Sequence, residues 1–187
     1  ESDLGLARET AAMIFSWYPL FAAALTPVFG MILDKKGKGA TMLIWGPALL
    51  GIDCMIFAFV LPAVHSIVIA IGAIALLGIS FSILGASIWP AIPKVIEEKV
   101  LGSAFCLVYW IQNFGLCIFP PFIGWLLEAA NPGVAQAIQA GDSAAHYSYT
   151  WPMFAFALCG IFAAIFGVIL KADDKRKGFG LEEPNIQ

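Results

Sequence analysis

Residues 30–39 read Gly30-Met-Ile-Leu-Asp34-Lys35-Lys36-Gly37-Lys38-Gly39, a short charged stretch between two long apolar ones. Upstream, Thr10–Leu33 contains no Asp, Glu, Lys or Arg, and downstream Ala40–Leu61 contains only Asp53. A helix rises about 1.5 Å per residue and the hydrocarbon core of a bilayer is about 30 Å thick, so each flank is long enough to cross. Further along, Ser66–Pro93, Val100–Leu127 and Thr150–Leu170 are equally free of charge. In lipid only helices and closed barrels satisfy every backbone polar group. The ten-residue alternation of a barrel strand is missing from all five stretches, so they are predicted to be helices.

Composition agrees with that reading. Of the 187 residues, 60% are hydrophobic and 12% charged, against roughly 25% charged in soluble domains. Mean hydropathy is +0.87, which argues against a water-soluble domain. A net charge of −3, with Lys175–Lys177 as the longest basic cluster, argues against nucleic-acid binding. Cys54, Cys106, Cys117 and Cys159 all lie inside apolar runs and show no C-x-x-C spacing, so neither a disulfide framework nor a zinc site is expected. No His-Glu-x-x-His, serine elbow or intraspan acid pair is present. The chain is therefore not expected to be an enzyme, and no catalytic residue, cofactor or metal is assigned.

Lys and Arg favour cytoplasmic loops. Lys35, Lys36 and Lys38 follow the first span, Lys94 and Lys99 the third, and Lys171, Lys175, Arg176 and Lys177 the fifth, leaving only Arg8 for the other face. This predicts an external start at Glu1, cytoplasmic loops at Asp34–Gly39 and Lys94–Lys99, an external turn at Pro62–His65, an external loop at Glu128–Tyr149 and a cytoplasmic tail. Five spans with an external start predict a further helix before Glu1. The expected organisation is a partial bundle over residues 1–171, with spans 10–33, 40–61, 66–93, 100–127 and 150–170, and a disordered cytoplasmic tail over 172–187. The polar loop Asn131–Tyr149 is expected to carry a short surface helix over Val134–Ala140.

The 30–39 stretch resembles the loop motif of the major facilitator superfamily, G-x-x-x-D-[RK]-x-G-[RK]-[RK]. In that reading Gly30 allows close approach of a helix, Asp34 offers a carboxylate to a helix N-terminus or basic partner, and Gly37 permits a tight turn. Lys35 and Lys38 would hold the loop at the anionic inner leaflet. Gly39 departs from the pattern, which has a second basic residue there. A generic positive-inside turn is the plain alternative. Two further runs point the same way: Ser87-Ile88-Trp89-Pro90-Ala91-Ile92-Pro93, followed by Leu101–Phe105 and Gln112-Asn113-Phe114-Gly115, and Thr26-Pro27-Val28-Phe29-Gly30. They are similar to the superfamily members that carry dipeptides in animal lysosomes, and to their bacterial relatives.

The resemblance implies an all-α membrane protein: five transmembrane helices, eight to twelve, of a six-helix facilitator-superfamily bundle at the C-terminal half of a twelve-helix carrier. It further implies alternating access for a small organic solute, small peptides or amino acids, with the missing N-terminal half and the lipid bilayer as partners. A bacterial cytoplasmic membrane is expected in preference to a lysosomal one. Efflux or sugar carriage within the same superfamily, or a scaffold subunit that does not transport, are the rival readings. Solute contact is assigned to Gln112, Asn113, Trp89, Trp110, Tyr18 and Trp17. Against this, the two amides could instead bridge helices and Trp89 could belong to an interfacial aromatic belt. Trp45, Trp125 and Trp151 are read as belt residues. Pro19, Pro27, Pro47, Pro90, Pro120 and Pro121 each remove an amide donor and can bend a helix. Asp53 is the only carboxylate at hydrocarbon depth, a candidate for coupling. It could equally bond neighbouring hydroxyls or approach the outer surface.

Overall fold

The structure, a computed structural model, describes residues 8–142 and 145–186. The predicted external start at Glu1, two positions of the 131–149 loop and Gln187 lie outside the described residues. Helices α1 (Arg8–Phe15) and α2 (Trp17–Lys36) form the first span, separated at Ser16. Pro19 accounts for that break, because its ring has no N–H for the Phe15 carbonyl four residues back. Helix α3 (Gly39–Met55) continues through a π-helical segment, Ile56–Val60, into α4 (Leu61–Val64). Helix α5 covers Ile67–Val95, α6 Leu101–Ala130, α7 Val134–Gln139 and α8 Thr150–Lys177. Five of the resulting helical spans are long and apolar enough to cross a membrane.

Pro62, four residues beyond Ala58, has no N–H for the Ala58 carbonyl, and the Thr150 hydroxyl donates to that carbonyl at 3.4 Å. The turn expected over Pro62–His65 is narrower than that. Only His65 and Ser66 stand between α4 and α5, His65 in a left-handed conformation at φ 51° and Ser66 extended.

Helix α3 is the hub, packing against α8 on one side and α5 on the other. Its seam with α8 is backbone on backbone. A Cβ added at Gly160 would lie 2.8 Å from the Pro47 carbonyl oxygen and 2.9 Å from the Gly51 Cα. One added at Gly167 would lie 2.7 Å from the Leu43 carbonyl oxygen. That carbonyl has lost its helical donor, because Pro47 carries no N–H. The proline thus exposes a carbonyl and the glycine lets α8 close over it, a small-residue contact typical of membrane helices. On the other side, a Cβ at Gly46 would meet the Leu84 backbone nitrogen at 3.1 Å, and Gly78 of α5 receives Phe21 of α2. Ser82 ties the α2–α5 contact by donating to Ala22 O at 3.2 Å.

The C-terminal residues depart most from expectation. Helix α8 runs two turns past Leu170, and the chain beyond Gly178 packs on the bundle instead of being disordered. Composition hid the reason: among the charges stand Phe179 and Leu181, and Leu181 is only 1% exposed, packed with Ala40, Leu43 and Ala91. Burying one leucine is worth about 1.5–3 kcal/mol, which outweighs a half-exposed ion pair such as Lys171–Glu182 at 3.4 Å, worth about 0–1 kcal/mol.

If the glycine seam holds α3 to α8, Gly160→Ala and Gly167→Ala each destabilise the protein by about 1–3 kcal/mol. Gly85→Ala, with nothing within 4 Å of the new Cβ, leaves stability unchanged. Thermal unfolding of the purified protein in detergent checks both halves of this expectation.

Candidate functional site: an open groove beside α6 and a capped loop

Helix α6 has no buried residue along its length among those described. Gln112 and Asn113 lie twelve and thirteen residues into it, about 17 Å from the lysine-rich end at 1.5 Å per residue and close to the middle of a 30 Å core. Both are exposed. Successive helical positions diverge by about 100°, so the two amides serve different faces. Gln112 lines a groove of about 700 Å³ with Leu116, Phe119, Pro120, Ile123 and Phe156 of α8. No hydrogen-bond partner for its side chain is found among the described residues. Asn113 turns back on its own helix, donating to Tyr109 O at 2.8 Å.

The aromatic candidates separate into three groups. Trp89, half-buried on α5, stacks on Tyr109 and Phe105 of α6, with ring centroids 5.1 and 6.5 Å apart. Trp110 stacks on Phe114 of its own helix at 5.6 Å and is 65% exposed. Tyr18 packs edge-on against Phe81 of α5 at 6.3 Å, while exposed Trp17 leans on Phe21. These six residues therefore do not converge on one cavity within the described chain. A second groove, about 550 Å³ near the lysine-rich end, is lined by Leu43, Pro47, Leu84, Ile88, Leu107 and Phe166 among others, all apolar. It offers nothing for a polar solute to bond. The buried hydroxyls of Ser80 and Ser87 on α5 donate to carbonyls one turn back, each at 2.7 Å, and so are spent within their own helix, while Ser82 is shared between Gly78 O of α5 at 2.7 Å and Ala22 O of α2.

Asp53 is fully buried, and neither carboxylate oxygen has a hydrogen-bond partner among the described residues. It neither bonds neighbouring hydroxyls nor approaches the surface, as the sequence had left open. Seven residues make close to two turns, so Asp53 falls on the α3 stripe that carries Gly46 against α5. An unsatisfied polar group in apolar surroundings costs about 2–7 kcal/mol, so this position is held at the expense of stability. Cys54 beside it is buried and free, and Cys106, Cys117 and Cys159 are free and exposed. Among the described residues no cluster of His, Cys, Asp and Glu could hold a metal ion.

The 30–39 loop makes contacts that its sequence did not indicate. Nothing lies within 4 Å of a Cβ placed on Gly30, so no helix approaches closely there among the described residues. Asp34 does not cap a helix. Its side chain accepts from the Asn185 amide at 2.8 Å, and its backbone carbonyl accepts from the Asn185 and Ile186 N–H groups at 3.0 and 3.1 Å. Gly37 adopts φ 72°, a conformation glycine alone takes readily, with the backbone of Glu182–Pro184 directly against it. Lys35, Lys36 and Lys38 remain exposed.

The start of α3 has no side-chain cap of its own, since Lys38 stands at the N-cap position in a left-handed conformation. The C-terminal residues supply the acceptors. Lys38 N–H donates to Glu182 O at 3.0 Å, Gly39 N–H to Leu181 O at 2.8 Å and Thr41 N–H to the Glu182 carboxylate at 2.7 Å. A carboxylate there also meets the positive end of the helix dipole. The Thr41 hydroxyl donates to the same carboxylate at 2.9 Å and accepts from Lys171. Lys94, ending α5, donates to Gly180 O at 2.8 Å, and the buried Asp174 accepts from Leu181 N–H at 3.1 Å. Sequence reading missed Thr41, Lys94, Lys171, Asp174, Glu182 and Asn185. Its available signals were the uncapped start of α3 and the Phe179 and Leu181 pair among charges.

Five membrane-length helices among the described residues, a groove of about 700 Å³ beside Gln112 and a basic loop at one end define a polytopic α-helical membrane protein. The chain belongs to the Major Facilitator Superfamily, whose family model matches residues 1–184. It is similar to the lysosomal dipeptide transporter MFSD1 of Homo sapiens, 32% identical over 127 residues, or 67% of this chain and 26% of that protein. Similarity to the Mus musculus MFSD1 is 29% over 123 residues, covering 65% of this chain and 25% of the relative. The inner membrane transport protein YdiN of Escherichia coli strain K12 is 31% identical over 99 residues, 53% of this chain and 22% of its own length. The chain thus spans about a quarter of the length of the curated relatives it matches. No solved structure matches it.

The stack of Trp89 on Tyr109 and Phe105 joins α5 to α6, and each aromatic pair is worth about 0.5–1.5 kcal/mol. Trp89→Ala is expected to lower stability by about 1–3 kcal/mol and Trp89→Phe to restore most of it, as read by chemical denaturation in mixed micelles.

Proposed function

We propose that this chain forms part of a secondary transporter that moves a small organic solute, a short peptide or an amino acid, across a membrane by alternating access. The carrying observation is Gln112: an exposed amide at mid-membrane depth, in a 30-residue apolar helix, beside a groove of about 700 Å³. A polar side chain at that depth faces a wet cavity or a partner rather than lipid. Family membership and the printed names of the relatives support transport, and dipeptide carriage in MFSD1 supports a peptide-like solute. Gln112 is the primary solute contact in this reading. Asn113, Trp89, Trp110, Tyr18 and Trp17 shape the cavity walls, which a companion half of the same transporter completes over α2 and α6. The 550 Å³ apolar groove takes no part.

The Asp34–Gly39 loop and the C-terminal residues face the cytoplasm in this proposal, supported by the meeting of Lys38, Lys94 and Lys171 at one end of the bundle. The membrane is a bacterial cytoplasmic membrane. The boundary proposed between bundle and tail, at residues 171 and 172, falls inside α8, and residues 178–186 dock on the bundle.

Proteoliposomes of the full-length protein are expected to exchange labelled dipeptide in counterflow. Gln112→Ala is expected to raise KM about three- to tenfold, the loss of one hydrogen bond of about 0.5–1.5 kcal/mol. Absence of counterflow with dipeptides and single amino acids alike overturns the solute class.

Asp53 is the proposed coupling residue, on the ground that its buried carboxylate has no structural partner to serve. Asp53→Asn keeps the shape and removes the ionisable group. It is expected to leave thermal stability within about 0.5 kcal/mol while uptake loses its dependence on a cation gradient. Uptake that stays gradient-driven in this variant places coupling elsewhere.

A further inference from the structure

Four helix ends meet at the lysine-rich side of the bundle, and the same nine residues touch all of them. Residues 178–186 reach the end of α2 through Asn185 and Ile186 on Asp34, at 2.8 to 3.1 Å. They reach the start of α3 through three backbone N–H groups, the end of α5 through Lys94, and the end of α8 through Asp174 and Lys171. We infer that residues 178–186 are a strap that locks the inner ends of α2, α3, α5 and α8 into one block and fixes the position of the 34–39 loop.

Three features separate a strap from an incidental contact. The α3 start has no cap without it, so detachment leaves the N–H groups of Lys38, Gly39 and Thr41 without acceptors. The fit is specific at Gly37, where the strap backbone occupies the place a side chain would take. Leu181, 1% exposed, anchors the middle of the segment in a pocket formed by α3 and α5 residues. The strap's bonds among the described residues tie elements of this bundle to one another. It makes this half move as one rigid body, which alternating access requires. The inference deepens the transport reading, but its first measurement needs no solute.

Hydrogen exchange on the full-length protein in nanodiscs tests it. The comparison is between the unmodified protein and a variant ended after Gly178. The N–H groups of Lys38, Gly39 and Thr41 are expected to exchange at least tenfold faster without the strap, with exchange along the α3–α8 seam unchanged. Glu182→Gln, which keeps the strap backbone and weakens only the carboxylate cap, is expected to accelerate Thr41 several-fold and Lys38 and Gly39 little. Gly37→Ala retains every strap residue while blocking its seat, and is expected to reproduce the truncation. Should the truncated protein fail to fold, the two point variants carry the same comparison. Unchanged exchange at Lys38–Thr41 in the truncation, or in both point variants, overturns the strap. So does acceleration by Gly37→Ala without acceleration by truncation, because the protection would then belong to the loop's own turn. If dipeptide counterflow fails while these exchange shifts appear, the solute assignment falls and the strap stands.

Discussion

The backbones of α3 and α8 come into direct contact at Gly51, Gly160 and Gly167, and the rest of the bundle is arranged around that contact. Lipid gives helices no hydrophobic reason to associate, so close van der Waals approach and relieved backbone groups must supply it. Pro47 provides both. It strips the Leu43 carbonyl of its donor, and Gly167 lets α8 lie against the exposed oxygen. With α8 fixed on one side of α3, α5 takes the other through Gly46, and α2 packs on α5 at Gly78 and Ser82. Helix α6 lies outside this chain of small-residue contacts, and its lack of buried residues follows from that.

The separation between packed core and open helix also sorts the candidate site. Gln112 is available because α6 is not gripped by glycine contacts, whereas the buried serines of α5 are engaged by carbonyls of α5 and, at Ser82, of α2. Aromatic stacking at Trp89 is the main side-chain tie between α5 and α6, a softer joint than the backbone seam. A bundle with one rigid face and one loosely tethered helix concentrates its adaptable surface beside the groove.

Charge-free length made the five membrane helices legible, since the bilayer imposes a coarse rule that single residues rarely break. The short helix α7 was legible too, because Pro132 and Gly133 punctuate its start. What stayed hidden depended on distant partners. No local pattern shows that Glu182 will cap α3, because the acceptor and its donors are about 140 residues apart. Charge count made residues 172–187 read as disordered, while one leucine in a fitted pocket outweighed the charges. At Gly30 the motif suggests close approach of a helix, and none of the described residues comes within 4 Å of a Cβ placed there. The six solute-contact candidates were chosen because the resemblance places their spans along the cavity, a statement about whole helices, whereas helical phase spreads the side chains over different faces.

The α3–α8 seam has a consequence for synthesis. Gly51 and Gly160 are roughly a hundred residues apart, and at about 5–20 residues per second the ribosome takes on the order of 5–20 s to cover that distance. During this interval α3 is in or near the membrane with its grooved face open and the Leu43 carbonyl facing hydrocarbon. A nascent chain stalled before α8 would present that face to the insertion and quality-control machinery, which makes the arrival of α8 the step that closes the hub.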